Sequence, residues 1–424
     1  MTSNTSISSY PESEIFVPSN WQYIQEGNEN IVLGYIGINS KLNNLILRLT
    51  KTGNKEDIVK DPIKIKIFKD IIVTSLIGED YLPFNLFLQP TIGFIKSIDD
   101  QIYLSRPQFR RNKRLNWNAK YIFLSQNLLM IYKSIPLRKG NTLGIEIKPK
   151  WGFLPTSRYI LEQNKIKLTK CRFCLHQEFK LLSGNKTKSE YCPMDLYSQN
   201  IDKIKCSLSQ LIQTPQNNLR LFRDGIEIEV KEAFDLLSLD FNISSEVNIK
   251  QFFICLISVI LLNDKLLYKL KLAQLKLDKY DIEGIYQLKE KLENKQIEEP
   301  IEKDWLNVIE SLNNNNELNK NINLTDDNDI LTAIYAFIAS LSFKDCSILL
   351  TIPLISNDSI NFDSNLLKNI DKEMFRDELI LKDWLKNKDK IYYQLGIVDL
   401  DPKSHMKLDH YYQLDQNIVK ANIK

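Results

Sequence analysis

Residues 144–155 read Gly-Ile-Glu-Ile-Lys-Pro-Lys-Trp-Gly-Phe-Leu-Pro, and they stand where the character of the chain changes. Residues 144–147 read as a strand. Pro149 has no N–H to give to a central ladder, so the segment is an edge strand or the exit from a sheet. Alternation along extended backbone puts Glu146, Lys148 and Lys150 on one face. Two ammonium groups beside a carboxylate suit a phosphate on one side and a ribose or metal on the other. The competing reading is a solvated edge strand.

Upstream, short apolar clusters alternate with polar breaks. Residues 31–33, 45–47, 71–73 and 121–124 read as strands or short helices, and 130–132 as a strand. Downstream the spacing turns helical. Residues 247–263 suit a buried helix, 265–295 carry Leu, Lys and Glu at helical spacing, and 331–343 form another helix that Thr325, Asp326 or Asp327 can cap. Residues 346–353 and 392–400 read as buried strands. Asn-rich residues 313–328 read as a flexible insertion. The fold expected is α+β in two lobes. Residues 1–20 form a disordered lead-in, 21–160 a sheet-rich lobe and 161–424 a larger helix-rich lobe. A ligand cleft is expected between the lobes.

The whole-chain numbers narrow the class. A chain of 424 residues allows two or three domains. With 13 glycines and 14 prolines, collagen-like and Pro/Gly-rich disordered chains are excluded. Lys and Arg number 56 against 53 acidic residues, a net charge of +3. So small a surplus cannot coat a surface, and any polyanion site must come from local clustering. Six cysteines in this length are no disulfide scaffold. Residues 1–17 lack the apolar core of a secretory signal, and the apolar run 252–262 is too short to span a bilayer, which takes about 20 residues. A reducing, intracellular, soluble setting with no membrane contact is expected.

Three further islands carry chemistry. In Cys171-Arg172-Phe173-Cys174-Leu175-His176, with Lys180 following, a helix would align Arg172, His176 and Lys180 as an anion-binding face and leave the cysteines as small core fillers. Alternatively Cys171, Cys174, His176 and Cys192 ligate zinc. The run Thr214-Pro215-Gln216-Asn217-Asn218-Leu219-Arg220 offers amides and a guanidinium to phosphate, or is an ordinary turn. Asp345 and Asp399 each stand at one end of a very apolar strand. Carboxylates delivered there fit phosphoryl transfer, one accepting a hydroxyl proton and the other holding Mg²⁺. Lys403, Lys407 and Tyr411 recur every fourth residue and would make one helical stripe, or merely a solvated face.

In order and co-occurrence these islands resemble the inositol-pentakisphosphate 2-kinase family. The likeness also takes in Glu26-Gly27-Asn28-Glu29-Asn30, Leu47-Arg48-Leu49 and Tyr191-Cys192-Pro193-Met194-Asp195-Leu196. Glu-x-Lys-Pro-Lys is its signature. The resemblance implies a two-lobed fold distantly similar to protein kinases, with an inositide-binding C-lobe. It implies ATP-dependent phosphorylation of the 2-hydroxyl of inositol 1,3,4,5,6-pentakisphosphate to inositol hexakisphosphate (phytate), with Mg²⁺, by a nuclear or otherwise cytoplasmic monomer. By the same resemblance Gly27, Asn28, Asn30, Arg48, Asn127, Glu146, Asn218 and Arg220 face the nucleotide. Lys148, Lys150, Lys180, Asn217, Lys403, Lys407 and Tyr411 hold inositide phosphates. Asp345 is the base, assisted by Lys148, Arg172 and His176, and Asp399 is the Mg²⁺ ligand.

The chain departs from the family in places. Lys407 stands where Arg is frequent, so a bidentate fork becomes a point charge. The basic run 106–114 should supply one more inositide ligand, Arg114, with Arg110 and Arg111 as its rivals. Some plant members hold zinc in the C-lobe insert; this chain has no Cys or His between Cys255 and Cys346, so zinc is not expected. Two other functions remain open: a kinase of another inositol phosphate, and a non-catalytic binder of polyphosphate or phosphoinositide. Cleft carboxylates disfavour the binder, and no aromatic-basic stacking motif supports stable nucleic-acid binding.

Overall fold

The computed structural model describes residues 10–52, 62–130, 142–185, 187–241, 243, 247–292, 297–314, 326–353, 367–386 and 390–423. Residues 131–132 of the expected strand and 315–325 of the expected insertion lie outside these residues, and Met130 is not in a strand. From Tyr10 the chain is packed, not a loose lead-in. Ile15 is fully buried, and the Trp21 indole donates to its carbonyl at 2.7 Å.

Two antiparallel sheets organise the chain. The first comprises β1 (Trp21–Glu26), β2 (Asn30–Tyr35), β3 (Leu45–Thr50), β4 (Asn85–Leu88) and β5 (Ile122–Gln126), in the order β1-β2-β3-β5-β4. In β3 the period of two is plain: Leu45, Leu47 and Leu49 are buried, and Arg48 points to the opposite face. Helix α1 (Ile92–Ile102), capped by the Thr91 hydroxyl, covers the buried face with Phe94, Ile95, Ile98 and Ile102.

The second sheet comprises β6 (Thr142–Ile147), β7 (Leu219–Arg223), β8 (Ile226–Ile228), β9 (Ser347–Pro353), β10 (Lys368–Asp371) and β11 (Lys390–Val398), in the order β10-β11-β9-β6-β7-β8. β6 was expected in the first half but lies in the middle of this sheet, buried along its whole length. Pro149 is therefore an exit from a central strand, not a mark of an edge. The larger core gathers helices around this sheet, among them α2 (Arg172–Leu182), α3 (Ile201–Gln213), α4 (Val230–Asp240), α5 (Ile249–Asn263), α6 (Leu266–Leu277), α7 (Asp281–Lys291), α8 (Glu302–Asn314), α9 (Asp327–Lys344) and α10 (Leu408–Asn422). The single helical stretch expected over 265–295 is two helices, α6 and α7, parted by a turn at Asp278–Tyr280. Asp326 caps α9, accepting from Asn328 N–H.

Residues 71–73 are neither strand nor regular helix. They belong to a π-turn, Lys69–Val73, between the short helices Pro62–Phe68 and Thr74–Ile77. Phe68, Ile72, Val73 and Ile77 pack into the larger core, although the segment lies between β3 and β4 in sequence. No helix among the described residues is long and apolar enough to cross a membrane.

Candidate active site

Sheet register explains why distant charged residues meet. Ile147 pairs with Ile348, and Ser347 pairs with Val398, so the end of β6, the start of β9 and the end of β11 share one edge. Lys148, Asp345 and Asp399 leave the sheet there. Lys150 Nζ lies 3.0 Å from Asp345 Oδ1, Lys403 Nζ 3.5 Å from its Oδ2, and Lys148 Nζ 3.8 Å from Asp399 Oδ2. Partial desolvation works against charge on Asp345. Lys150, Lys403 and Lys148 outweigh it and hold the carboxyl below its usual range. Glu146 is buried and accepts from Ser347 Oγ at 2.8 Å, while the same hydroxyl lies 3.5 Å from Asp399.

Two of these residues, Lys150 and Asp399, have φ of +61° and +63°. Non-glycine residues adopt this left-handed region at a cost, and such outliers gather at functional sites. The turn at Lys150 aims its ammonium at Asp345 after Lys148 has turned to Asp399. One extended face for Glu146, Lys148 and Lys150 is thus not what forms, because the strand ends at Ile147.

The helix expected at 172–180 is α2. The Cys171 sulfur caps it, accepting from Cys174 N–H, and Arg172, His176 and Lys180 fall one per turn. Burial, then the charges of Arg172, Lys180 and Lys150, push the His176 imidazole down to about 4. Burial and Lys150 also lower Lys180. Arg172 Nε is fixed by Asp415 at 2.9 Å. An open pocket of about 550 Å³ beside α2 is lined by Lys180, Gly184, Asn185, Thr187, Gln216 and Asn217. Asn185 and Thr187 were not singled out from sequence, and Gln216 stood in the 214–220 run without a role of its own.

The stripe expected of Lys403, Lys407 and Tyr411 does not form as a helix. Ser404 Oγ accepts from Met406 N–H and starts a tight turn at His405–Lys407, so α10 begins only at Leu408. Lys403 reaches Asp345 from the preceding coil. Tyr411 comes close from α10, its hydroxyl pushed up by burial and by the Asp345 charge. Lys407 is exposed and makes none of the ion pairs to Asp345 seen among the described residues.

On the other side of these carboxylates stands the β1–β2 hairpin. Gly27 N–H donates to Asn30 O at 2.9 Å, and among the described residues no atom lies within 4 Å of where a Cβ at Gly27 would stand. Buried Glu26 braces the hairpin by accepting two bonds from Arg106, both at 2.9 Å, and one from Lys51 at 2.7 Å. Arg48 reaches Asp401 Oδ2 at 3.2 Å and, with the Asn30 amide turned to suit, Asn30 Oδ1 at 3.0 Å. Arg220 spans the two sheets, donating to Gln25 Oε1 at 3.2 Å with Glu146 at 3.7 Å. Asn218 is buried, and its Oδ1 has no hydrogen-bond partner among the described residues. Asn127 uses its side chain locally, accepting from Leu129 N–H where the chain passes from β5 towards the second sheet.

Of the three arginines in the basic run, Arg114 is committed to Asp99 and Asp100, at 2.7 and 2.5 Å, beside α1. Arg111 donates to main-chain carbonyls of Arg106 and Leu104. Arg110 leans on Asn28 of the hairpin at 3.4 Å. Arg114, held beside α1, is thus turned away from the Lys150 and Lys403 cluster, and Arg110 meets the hairpin instead.

The cysteines pack with the larger core, Cys171 within it and Cys174 and Cys192 against it, and their sulfurs also meet. Cys171 Sγ lies 3.1 Å from Cys174 Sγ and 3.9 Å from Cys192 Sγ. These three form a group in which His176 does not join, one donor short of the four that close a structural zinc site. A second compact group, Asp281, Glu283 and Asp415, already surrounds the Lys167 ammonium.

Comparison with known proteins agrees with this geometry. The model of a family described as inositol-pentakisphosphate 2-kinase matches residues 23–417. The chain belongs to the inositol-pentakisphosphate 2-kinase family. Among curated relatives of that name, one from Danio rerio is 24% identical over 96% of this chain and 93% of its own length. One from Arabidopsis thaliana is 26% identical over 95% and 92%, and one from Oryza sativa subsp. japonica is 26% identical over 94% and 92%. The match to the inositol-pentakisphosphate 2-kinase family runs from within β1 into α10 and so takes in both sheets.

Within this member of the inositol-pentakisphosphate 2-kinase family, sequence reasoning gave no role to Ser347 or Asp401, which flank Asp345 and Asp399, and it missed Lys69. Asp401 had a signal, the Asp-Leu-Asp spacing after β11. Lys69, which sits 3.4 Å from Asp401 Oδ1, had none.

Proposed function

We propose that this chain transfers the γ-phosphate of ATP to the 2-hydroxyl of inositol 1,3,4,5,6-pentakisphosphate, giving inositol hexakisphosphate. The observation that carries the reading is Asp345 held between Lys150 and Lys403 at the sheet edge that also delivers Asp399. The two sheets with separate cores serve as the two lobes of a distantly kinase-like arrangement. Nucleotide lies towards the β1–β2 hairpin and inositide towards α2, Lys403 and Tyr411.

The acceptor carries roughly −1.5 to −2 charges per phosphate, about −10 in all, and ATP beside it is repelled. Lys148, Lys150, Arg172, Lys180 and Lys403 offset that repulsion locally, as a net charge of only +3 requires. Inositide phosphates draw Lys150 and Lys403 away from Asp345. The carboxylate then loses the cations that hold its pKa down and becomes a better base as substrate binds. Asp345 accepts the hydroxyl proton while the new O–P bond forms and the bond to the nucleotide's β-phosphate oxygen breaks. His176, neutral above about pH 4, offers a hydrogen bond and no extra charge. Asp399 is half-exposed beside the Ser347 hydroxyl, a hard-oxygen setting that fits Mg²⁺. Bound there, Mg²⁺ supplies charge neutralisation for the donor phosphates.

Product analysis after mixing purified protein, Mg-ATP and a panel of inositol phosphates tests this. Hexakisphosphate formed from the 1,3,4,5,6-pentakisphosphate supports it. Turnover of a different inositol phosphate alone, or no turnover, refutes it.

A further inference from the structure

Asp401 carries two cations on one carboxylate. Arg48 Nη2 approaches Oδ2 at 3.2 Å, and Lys69 Nζ approaches Oδ1 at 3.4 Å. Both distances exceed the 2.7–2.9 Å usual for charge-assisted pairs. The other lysines of comparable importance are held differently. Lys51 has Glu26 at 2.7 Å, and Lys344 has Asp278 at 2.5 Å, each almost fully buried. Lys69 keeps about a quarter of its side chain exposed, at 23%. Around Asp401 both cations are therefore loosely tied.

The position of this pair of cations is fixed from both sides. Ser342 Oγ, three residues before Asp345, donates to the Asp401 carbonyl at 2.7 Å, so Asp401 is tied to the end of α9. Lys69 opens the π-turn, a widened helical turn that is rare and frequently found at functional sites. Phe68 and Ile72 anchor that turn in the larger core. Arg48 arrives from the first sheet. Asp399, two residues from Asp401, acts electrostatically on both cations.

We infer that Lys69 is a further ligand for the phosphates of the donor nucleotide, parked with Arg48 on Asp401 until the triphosphate enters. This rests on the kinase reading above. A carboxylate that shares two cations can release one ammonium to a phosphate and keep the guanidinium, so Asp401 stays compensated throughout. The flexible, partly exposed lysine is the partner suited to move, and the planar arginine, also held by Asn30, is the one suited to stay.

Calorimetric titration with Mg-ATP in the absence of inositide tests it, with inositide titration in the absence of nucleotide as the second readout. Lys69→Met is expected to weaken Mg-ATP binding about tenfold or more, the effect of one charge-assisted hydrogen bond, with inositide affinity unchanged. Lys69→Arg, which keeps the charge, is expected to restore most of the nucleotide affinity. Far-ultraviolet circular dichroism verifies that each variant is folded, and Lys69→Gln replaces Lys69→Met if the latter is not. Wild-type nucleotide affinity in the folded neutral variant, or equal loss of both ligands, overturns the assignment while leaving the kinase reading intact. Absence of Mg-ATP binding by the wild-type protein overturns both.

Discussion

Lys150 Nζ lies 3.0 Å from Asp345 Oδ1, although 195 residues separate the two in sequence. The pair is half-exposed and so contributes little to stability. Its consequence is chemical. Lys150, Lys403 and Lys148 keep the Asp345 carboxyl ionised against its partial burial, and in the proposed reaction this is the group that takes the proton.

Replacing Asp345 by Ala should therefore separate binding from turnover. Lys150 and Lys403 lose their protein partner and stay available to phosphate, so inositide affinity is retained or increases. Turnover falls by about 10²–10⁴-fold, the usual contribution of a positioned base. Calorimetry with inositol pentakisphosphate and a product assay read the two effects, and retained turnover would remove Asp345 from the role of base.

Lys148 and Lys150 are two residues apart yet face different carboxylates. Lys150→Ala should raise the inositide KM by about 10–100-fold, the loss of one or more charge-assisted bonds. Lys148→Ala sits beside Asp399 and should depress kcat more than either KM. Steady-state kinetics with each substrate varied distinguishes the two patterns; identical patterns would sink the division.

The His176 shift gives a signed pH effect. Its folded pKa, about 4, lies below the ordinary 6.5. Between these values the unfolded chain binds the extra proton and the folded chain does not, so stability rises with pH across that window. The contribution is fully present above about pH 6.5 and is lost as pH falls through 4. Thermal unfolding of His176→Gln measured from pH 4 to 7 should show a shallower acid limb than wild type. An unchanged limb would mean that the imidazole is not buried among cations.

Much of the site could be read from sequence because it rests on local patterns. Arg172, His176 and Lys180 recur at helical spacing, and α2 places them together. Asp345 and Asp399 follow from apolar strands whose ends are marked by the first charged residue. What escaped depends on long-range pairing, which leaves no local period. Nothing near Lys69 announces Asp401, nothing near Arg172 announces Asp415, and the place of β6 at the centre of the second sheet follows from pairing with β7 and β9. Even the failed stripe at 403–411 has a local cause, the Ser404 cap that delays α10.

Lys344 offers a stability test next to the candidate base. Its ammonium is buried, bonded to Asp278 at 2.5 Å and Ser340 Oγ at 2.8 Å, and lies 4.1 Å from the centroid of the Trp151 ring. Burial lowers its pKa, and Asp278 opposes the fall. Lys344→Met fills a similar volume but leaves Asp278 buried without its cation, a loss of about 3–5 kcal/mol. The double change Lys344→Met with Asp278→Leu removes both charges and should recover much of that loss. Asp278 also accepts from Asp281 N–H at 3.0 Å, so recovery is expected to be incomplete. Chemical denaturation of the two variants reads the difference. A double variant no more stable than Lys344→Met would show that the ammonium acts chiefly through the aromatic ring and not through Asp278.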